Sequence, residues 1–279
     1  MSKTIKTVSN LIDFSTPCVM GVLNLTKDSF FDGGKYISNI QIEKRIKKIY
    51  LEGAKIIDIG ACSSKPGSLP IKEKEEIDKL LKAIKIIKET APNLIISVDT
   101  FRAKVARECI KNGAHIINDI SAGELDSKMF ETIIELNVPY IMMHMKGNPF
   151  DMQKNPQYLN IIKEIIIFFE KKISVLNAKG FNKIIVDPGI GFGKTLQNNY
   201  QILNNIEKFK VFGYPVLIGA SRKSMIYNLL NVSANEALNG TSIINTIALL
   251  KQTNILRVHD IKEAVECIKL TNMTLKSNK

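Results

Sequence analysis

Residues 184–194, IIVDPGIGFGK, place a carboxylate where a hydrophobic run stops. Ile184, Ile185 and Val186 suit a fully buried parallel strand, and the run ends at Asp187. Pro188 forces the chain out of any ladder, and glycines at 189, 191 and 193 let the backbone approach a ligand closely. A carboxylate in a near-apolar setting is costly unless paired, so the expected partner is a ligand offering N–H donors. The plain alternative is a loop aspartate that caps the next helix. Two phosphate-binding motifs fail on spacing. A Walker loop ending at Gly193-Lys194-Thr195 needs glycine at 188, where Pro188 stands, and the dinucleotide fingerprint needs a third glycine where Lys194 stands.

Three further groups carry chemistry. Asp99, Asn118 and Asp187 offer acceptors and one amide, suited to a flat heterocycle with adjacent N–H donors such as a 2-amino-pyrimidinone edge. Ser221-Arg222-Lys223 and Arg257-x-His259 supply positive charge and donors for an anion. Asn24, with Asp28 and Asp32, gives oxygen ligands for a magnesium ion riding on phosphates. Each has a plainer reading: Arg257 as a surface salt-bridger, His259 as a helix cap, Ser221-Arg222-Lys223 as an ordinary helix start. A heterocycle, an anion and a divalent metal together point to transfer chemistry at a diphosphate ester.

The elements that must position these groups follow a strand-then-helix rhythm. Candidate strands are 18–24, 54–60, 94–100, 115–121, 139–145, 183–189, 215–221 and 255–260. Between them apolar residues recur at helical spacing, as in Ile42, Ile46, Ile49 and Tyr50, or Ile77, Leu80, Leu81, Ile84 and Ile87. Gly53, Gly113, Gly180 and Gly213 fall where a helix end wants a left-handed residue. Eight such units in 279 residues predict an α/β fold, a single (β/α)8 TIM barrel over 1–279 with its core at about 17–275. Asn24, Asp58, Asp99, Asn118, His144, Asp187, Ser221, Arg257 and His259 then lie near the C-terminal ends of strands. Closing the barrel gathers them on the face where such folds bind phosphate after their last two strands.

Composition narrows the classes. At 45% hydrophobic residues the chain can bury a proper core, and its start, MSKTIKTVSNLIDF, lacks the apolar segment of a signal peptide. The apolar stretch 161–176 is interrupted by charges well before the roughly 20 residues that span a bilayer, so a cytoplasmic protein with no membrane partner is expected. Cys18, Cys62, Cys109 and Cys267 show no metal-ligand spacing. The net charge of +12 comes from lysines dispersed among acids, which predicts a solvated surface, no nucleic-acid partner and some preference for small anionic substrates.

Eight stretches in this order resemble the dihydropteroate synthase family: 20–34 (MGVLNLTKDSFFDGG), 56–67 (IIDIGACSSKPG), 96–100 (ISVDT), 118–123 (NDISAG), 143–149 (MHMKGNP), 187–194 (DPGIGFGK), 219–223 (GASRK) and 257–260 (RVHD). The resemblance implies a magnesium-dependent transferase that joins 4-aminobenzoate to 6-hydroxymethyl-7,8-dihydropterin diphosphate in folate synthesis, with sulfonamides as competitors and a homodimer as the assembly. Carried over by position, it places the pterin among Asp99, Asn118, Asp187 and Lys223. Arg257 and His259 then hold the diphosphate, Asn24 the metal, and Ser64 touches the diphosphate. Phe30, Pro66, Phe192, Ser221 and Arg222 enclose the aminobenzoate. Lys223, Arg257, His259 and Asp99 are the groups it makes catalytic. The chain departs from the family where Cys62, Ser64 and Lys65 replace the usual Glu, Thr and Arg; Lys65 keeps the charge without the bidentate fork. Lys27 stands in place of a usual proline. These departures motivate an alternative, a non-catalytic pterin-binding paralogue.

Overall fold

The computed structural model describes residues 4–7, 11–26, 38–62, 71–147 and 152–277. Eight parallel strands are joined by helices: β3 (Cys18–Asn24), β4 (Ile56–Gly60), β5 (Ile95–Asp99), β6 (Ile116–Asp119), β7 (Tyr140–Met143), β8 (Ile184–Asp187), β9 (Leu217–Ile218) and β10 (Ile255–Val258). They pair in the order β8-β7-β6-β5-β4-β3-β10-β9, and a parallel bridge between Val186 and Val216 closes the barrel. The outer layer holds α1 (Asn39–Leu51), α2 (Glu73–Thr90), α3 (Ala103–Lys111), α4 (Met129–Leu136), α5 (Ile161–Ala178), α6 (Leu196–Asn204), α7 (Ser224–Leu230), α8 (Leu238–Leu250) and α9 (Ile261–Lys276). No described helix is long and apolar enough to cross a membrane.

Strand alternation separates two layers. Outward residues such as Leu23, Ile57, Val98 and Ile117 join the buried faces of the helices in one apolar cluster. Inward residues Met20, Ile56, Ile95, Ile116, Ile141, Ile185, Leu217 and Ile255 fill the lower interior in a second. A two-stranded antiparallel hairpin, β1 (Thr4–Lys6) with β2 (Leu11–Asp13), plugs that end: Ile5 faces Ile12 across the ladder, and both join the interior cluster with Phe14. Two residues further along, the inward positions of β4, β5, β6, β8 and β10 turn polar as Asp58, Ser97, Asn118, Asp187 and Arg257, and these begin the site.

Helix ends follow the sequence. Gly53, Gly113, Gly180 and Gly213 all have positive φ, as expected; Gly213 closes a 3-10 turn over Ile206–Phe212 that follows α6. Ser38 and Thr195 form capping boxes at α1 and α6. On α1, Ile42, Ile46 and Ile49 are buried while Tyr50 turns outward. The seventh strand is shorter than expected, and at its start Asn254 takes a ladder place: its side chain accepts from Val216 N at 3.0 Å, and its own N–H joins that of Ile255 on Val216 O.

Candidate active site

Asp58 is the hub of the polar layer. It is fully buried on the inward face of β4 and accepts hydrogen bonds from three other strands. Oδ1 takes Ser97 Oγ from β5 at 2.6 Å, while Oδ2 takes Asn118 Nδ2 from β6 at 3.0 Å and Arg257 Nε from β10 at 2.7 Å. Arg257 crosses the barrel mouth and gives Nη2 to Asp99 Oδ2 at 2.8 Å. Neighbouring strands thus present Asp99 and Asn118 in direct register, with one guanidinium tied to two carboxylates. A forked, permanently charged donor suits this; a lysine's single point cannot reach both acids in fixed directions.

Asp187 ends β8 opposite this network. Its Oδ1 accepts Gly189 N at 2.7 Å, and among the described residues no donor reaches Oδ2. The cap of α6 is Thr195, so Asp187 caps its own turn and no helix. Gly189 has φ +72, and a Cβ there would overlap His144 O, so only glycine fits. Lys223 Nζ donates to Ile190 O on the same turn and lies 4.5 Å from the centre of the Phe192 ring. Phe192 packs with Ile120, Met143, Met145, Met152 and Phe101 into an apolar flank beside the polar groups.

On the far side of the mouth, His259 N donates to Ser221 Oγ at 3.2 Å, joining the segments after β9 and β10. Arg222, with φ +53, turns its side chain away to pair bidentately with Asp260 at 2.8 and 3.0 Å and to cap Ala234 O and Asn235 O. Its guanidinium is therefore committed to protein partners. Asn24 ends β3 half-buried, and among the described residues its amide makes no hydrogen bond. Phe30, Asp28, Asp32, Lys27, Ser64, Lys65 and Pro66 lie outside the described residues.

Residues 20–259 match the model of the pterin binding enzyme family. The chain is 40% identical over 272 residues to dihydropteroate synthase of Escherichia coli K12, covering 96% of each chain. The chain belongs to the dihydropteroate synthase family. Structures of that family agree. The Yersinia pestis enzyme in a sulfonamide drug complex superposes with TM-score 0.94 at 36% identity over 98% of this chain and 99% of the other. The Xanthomonas albilineans enzyme with 4-aminobenzoic acid gives 0.88 at 29% identity over 99% of each.

For a member of this family, the residues read from sequence as pterin ligands, Asp99, Asn118, Asp187 and Lys223, do converge, and Arg257, read as a diphosphate ligand, shares their mouth. Asp58 was legible only as one more strand-end carboxylate, yet it organises the network. Glu76 and Arg102 gave no sequence signal. Glu76, fully buried in the first turn of α2, takes Thr100 Oγ1 at 2.7 Å and pairs with Arg102. Arg102 in turn reaches Ile71 O at 3.0 Å and Cys62 Sγ at 3.6 Å, the residues on either side of 63–70.

Burial pushes Asp99 up to about 7; Arg257 opposes this, and Asp58, Glu76 and Asp119 add to it. Burial also lowers Lys223 to about 8, against the pull of Asp187 and with the push of Arg257. Asp99 is a carboxylate only above its pKa, and Lys223 a cation only below its own. The expected result is a bell-shaped profile of kcat/KM for the pterin substrate, with limbs near these two values. Steady-state rates across pH check it; activity undiminished well below the Asp99 limb would remove Asp99 from the working set.

Proposed function

We propose that the chain acts as a dihydropteroate synthase, joining the amine of 4-aminobenzoate to the methylene carbon of 6-hydroxymethyl-7,8-dihydropterin diphosphate. The C–O bond to diphosphate breaks as the C–N bond forms, the amine loses its proton, and 7,8-dihydropteroate and diphosphate leave. The observation that carries this reading is the convergence of Asp99, Asn118, Asp187, Lys223 and Arg257 in a chain so similar, end to end, to a synthase. Asp187, whose Oδ2 meets no donor among the described residues, takes the 2-amino and ring N–H groups of the pterin. Asp99 and Asn118 grip the opposite edge, and Lys223 and Arg257 hold the ring and the charge beside it. Arg257 and His259 draw off the diphosphate as its negative charge grows. Phe192, Ser221 and the backbone at Arg222 flank the aminobenzoate, with Phe30 and Pro66; Ser64 and Lys65 act on the diphosphate.

The amide oxygen of Asn24 is a hard donor with no partner among the described residues, suited to a magnesium ion that keeps waters and phosphate oxygens as its other ligands. Bound there, the metal would neutralise leaving-group charge. The amine of aminobenzoate is neutral near pH 7 and attacks directly, so no side-chain nucleophile is required. A homodimer is supported by the outer face of α8 and α9, where Ile243, Leu250, Leu270 and Met273 are each at least half exposed. The four free cysteines suit a reducing cytoplasm.

Purified protein given both substrates and magnesium is expected to release diphosphate and form dihydropteroate, with sulfonamides competing against 4-aminobenzoate. Folded protein that binds the pterin diphosphate yet forms no product would favour a non-catalytic paralogue. Sulfonamide inhibition insensitive to aminobenzoate would break the assignment of the second substrate's place.

A further inference from the structure

We propose that Lys194 is a positioning residue of this site: its buried ammonium ties the turn after β8 to the end of β7 and stands as a fixed positive charge behind Asp187. The inference rests on the reading of Asp187 as the pterin's grip.

Lys194 is 4% exposed. Its Nζ lies 2.9 Å from Phe192 O, 3.1 Å from His144 O and 3.0 Å from His144 Nδ1. Three partners around one nitrogen match the three N–H groups of an ammonium when the histidine ring accepts through Nδ1. That ring is neutral: burial first, then Lys194 and Lys146, hold its pKa down to about 2. Phe168 meets it edge-on at 4.9 Å between centroids and fixes its orientation.

The turn it grips is tied at four successive carbonyls by side chains. Lys223 holds Ile190 O, Gln153 holds Gly191 O at 2.5 Å, Lys194 holds Phe192 O, and Tyr158 holds Gly193 O at 2.8 Å. Of these tethers Lys194 is the buried one, and it also bonds the end of β7. A Cβ on Gly189 would sit 3.2 Å from Lys194 Nζ, so the ammonium lies close to the residue whose N–H caps Asp187.

The groups facing Asp187 are Lys194 from its own turn, Lys223 from the segment after β9 and Arg257 from β10. Burial raises the Asp187 pKa and all three cations lower it. Arg257 is shared with Asp58 and Asp99, and Lys223 is placed to meet the ligand; Lys194 stands behind, bonded to protein throughout. Burial first, with Lys223, lowers the Lys194 pKa well below its ordinary value, and Asp187 opposes this. Its acceptors supply the compensation that a buried ammonium needs.

Two variants separate charge from tether. Lys194→Gln keeps two N–H groups for Phe192 O and His144 O but removes the charge; Lys194→Met removes both. Calorimetry with the pterin diphosphate is expected to show the protonation of Asp187, as distinct from the Asp99 limb, displaced upward by roughly one pH unit in both variants. Lys194→Met alone raises KM for 4-aminobenzoate, by roughly tenfold, because Phe192 loses its tether. An Asp187 protonation unchanged from wild type and an unmoved aminobenzoate KM in folded variants would overturn the inference. Wild-type protein that fails to bind the pterin at all would instead overturn the reading of the site. A measurement on the wild type guards against variants that do not fold: a nitrogen-15 signal of the labelled Lys194 side chain at neutral pH is expected at the ammonium position, and an amine signal refutes the charge.

Discussion

Replacing Arg257 by methionine is expected to cost both stability and activity, because the guanidinium is shared by two carboxylates. Asp58 is fully buried and receives Arg257 Nε at 2.7 Å, and Asp99 receives Nη2 at 2.8 Å. Removing one partner from a buried pair leaves an uncompensated charge, a loss of about 3–5 kcal/mol. The denaturant midpoint should fall correspondingly, with the slope unchanged. Loss of the cation that faces pterin and diphosphate should lower kcat/KM by roughly a thousandfold, about 4 kcal/mol. Arg257→Lys separates the two losses, keeping a charge but not the fork, and should recover more stability than rate. Asp58→Asn combined with Arg257→Met should destabilise less than the two single changes added together, since the stranded charge is gone. A single Arg257→Met variant as stable as wild type would show that Asp58 finds its compensation elsewhere.

The parts of this site legible in sequence were those that change the character of a strand. Asp99, Asn118, Asp187 and Arg257 each interrupt or end an aliphatic run, and the barrel's parallel register brings them to one mouth. Strand ends were less legible at β9, where the side chain of Asn254 takes a ladder position that periodicity cannot register. The amino-terminal hairpin escaped notice because its strands are three residues long, too short for alternation to count. Arg222 shows a further limit: residue type places it among the ligands, but its left-handed backbone turns the side chain to Asp260. Ile243 and Ile244 are alike in sequence, yet helix phase leaves Ile243 half exposed and Ile244 buried. Glu76 and Arg102 escape the sequence, since pairing across 26 positions leaves no local pattern.

Asp187→Asn is expected to abolish useful pterin binding while leaving the fold intact. The amide oxygen can still accept Gly189 N, so the turn keeps the 2.7 Å bond that shapes it. At the other position, however, an acceptor becomes an N–H donor aimed at a substrate edge that also offers donors. The lost charge-assisted hydrogen bonds, with ligand donors left unpaired, amount to about 3–4 kcal/mol, or roughly a hundred- to thousandfold in affinity. A second consequence carries a sign. Asp187 raises the Lys223 pKa against burial, so its neutralisation lets that pKa fall below about 8. Lys223 would then lose its charge at a lower pH, and the alkaline limb of whatever activity remains should move to lower pH. Calorimetry with the pterin diphosphate measures the first effect and a pH–rate profile the second. An Asp187→Asn variant with unchanged melting temperature and pterin affinity within a few-fold of wild type would show that the ring is gripped elsewhere in the mouth.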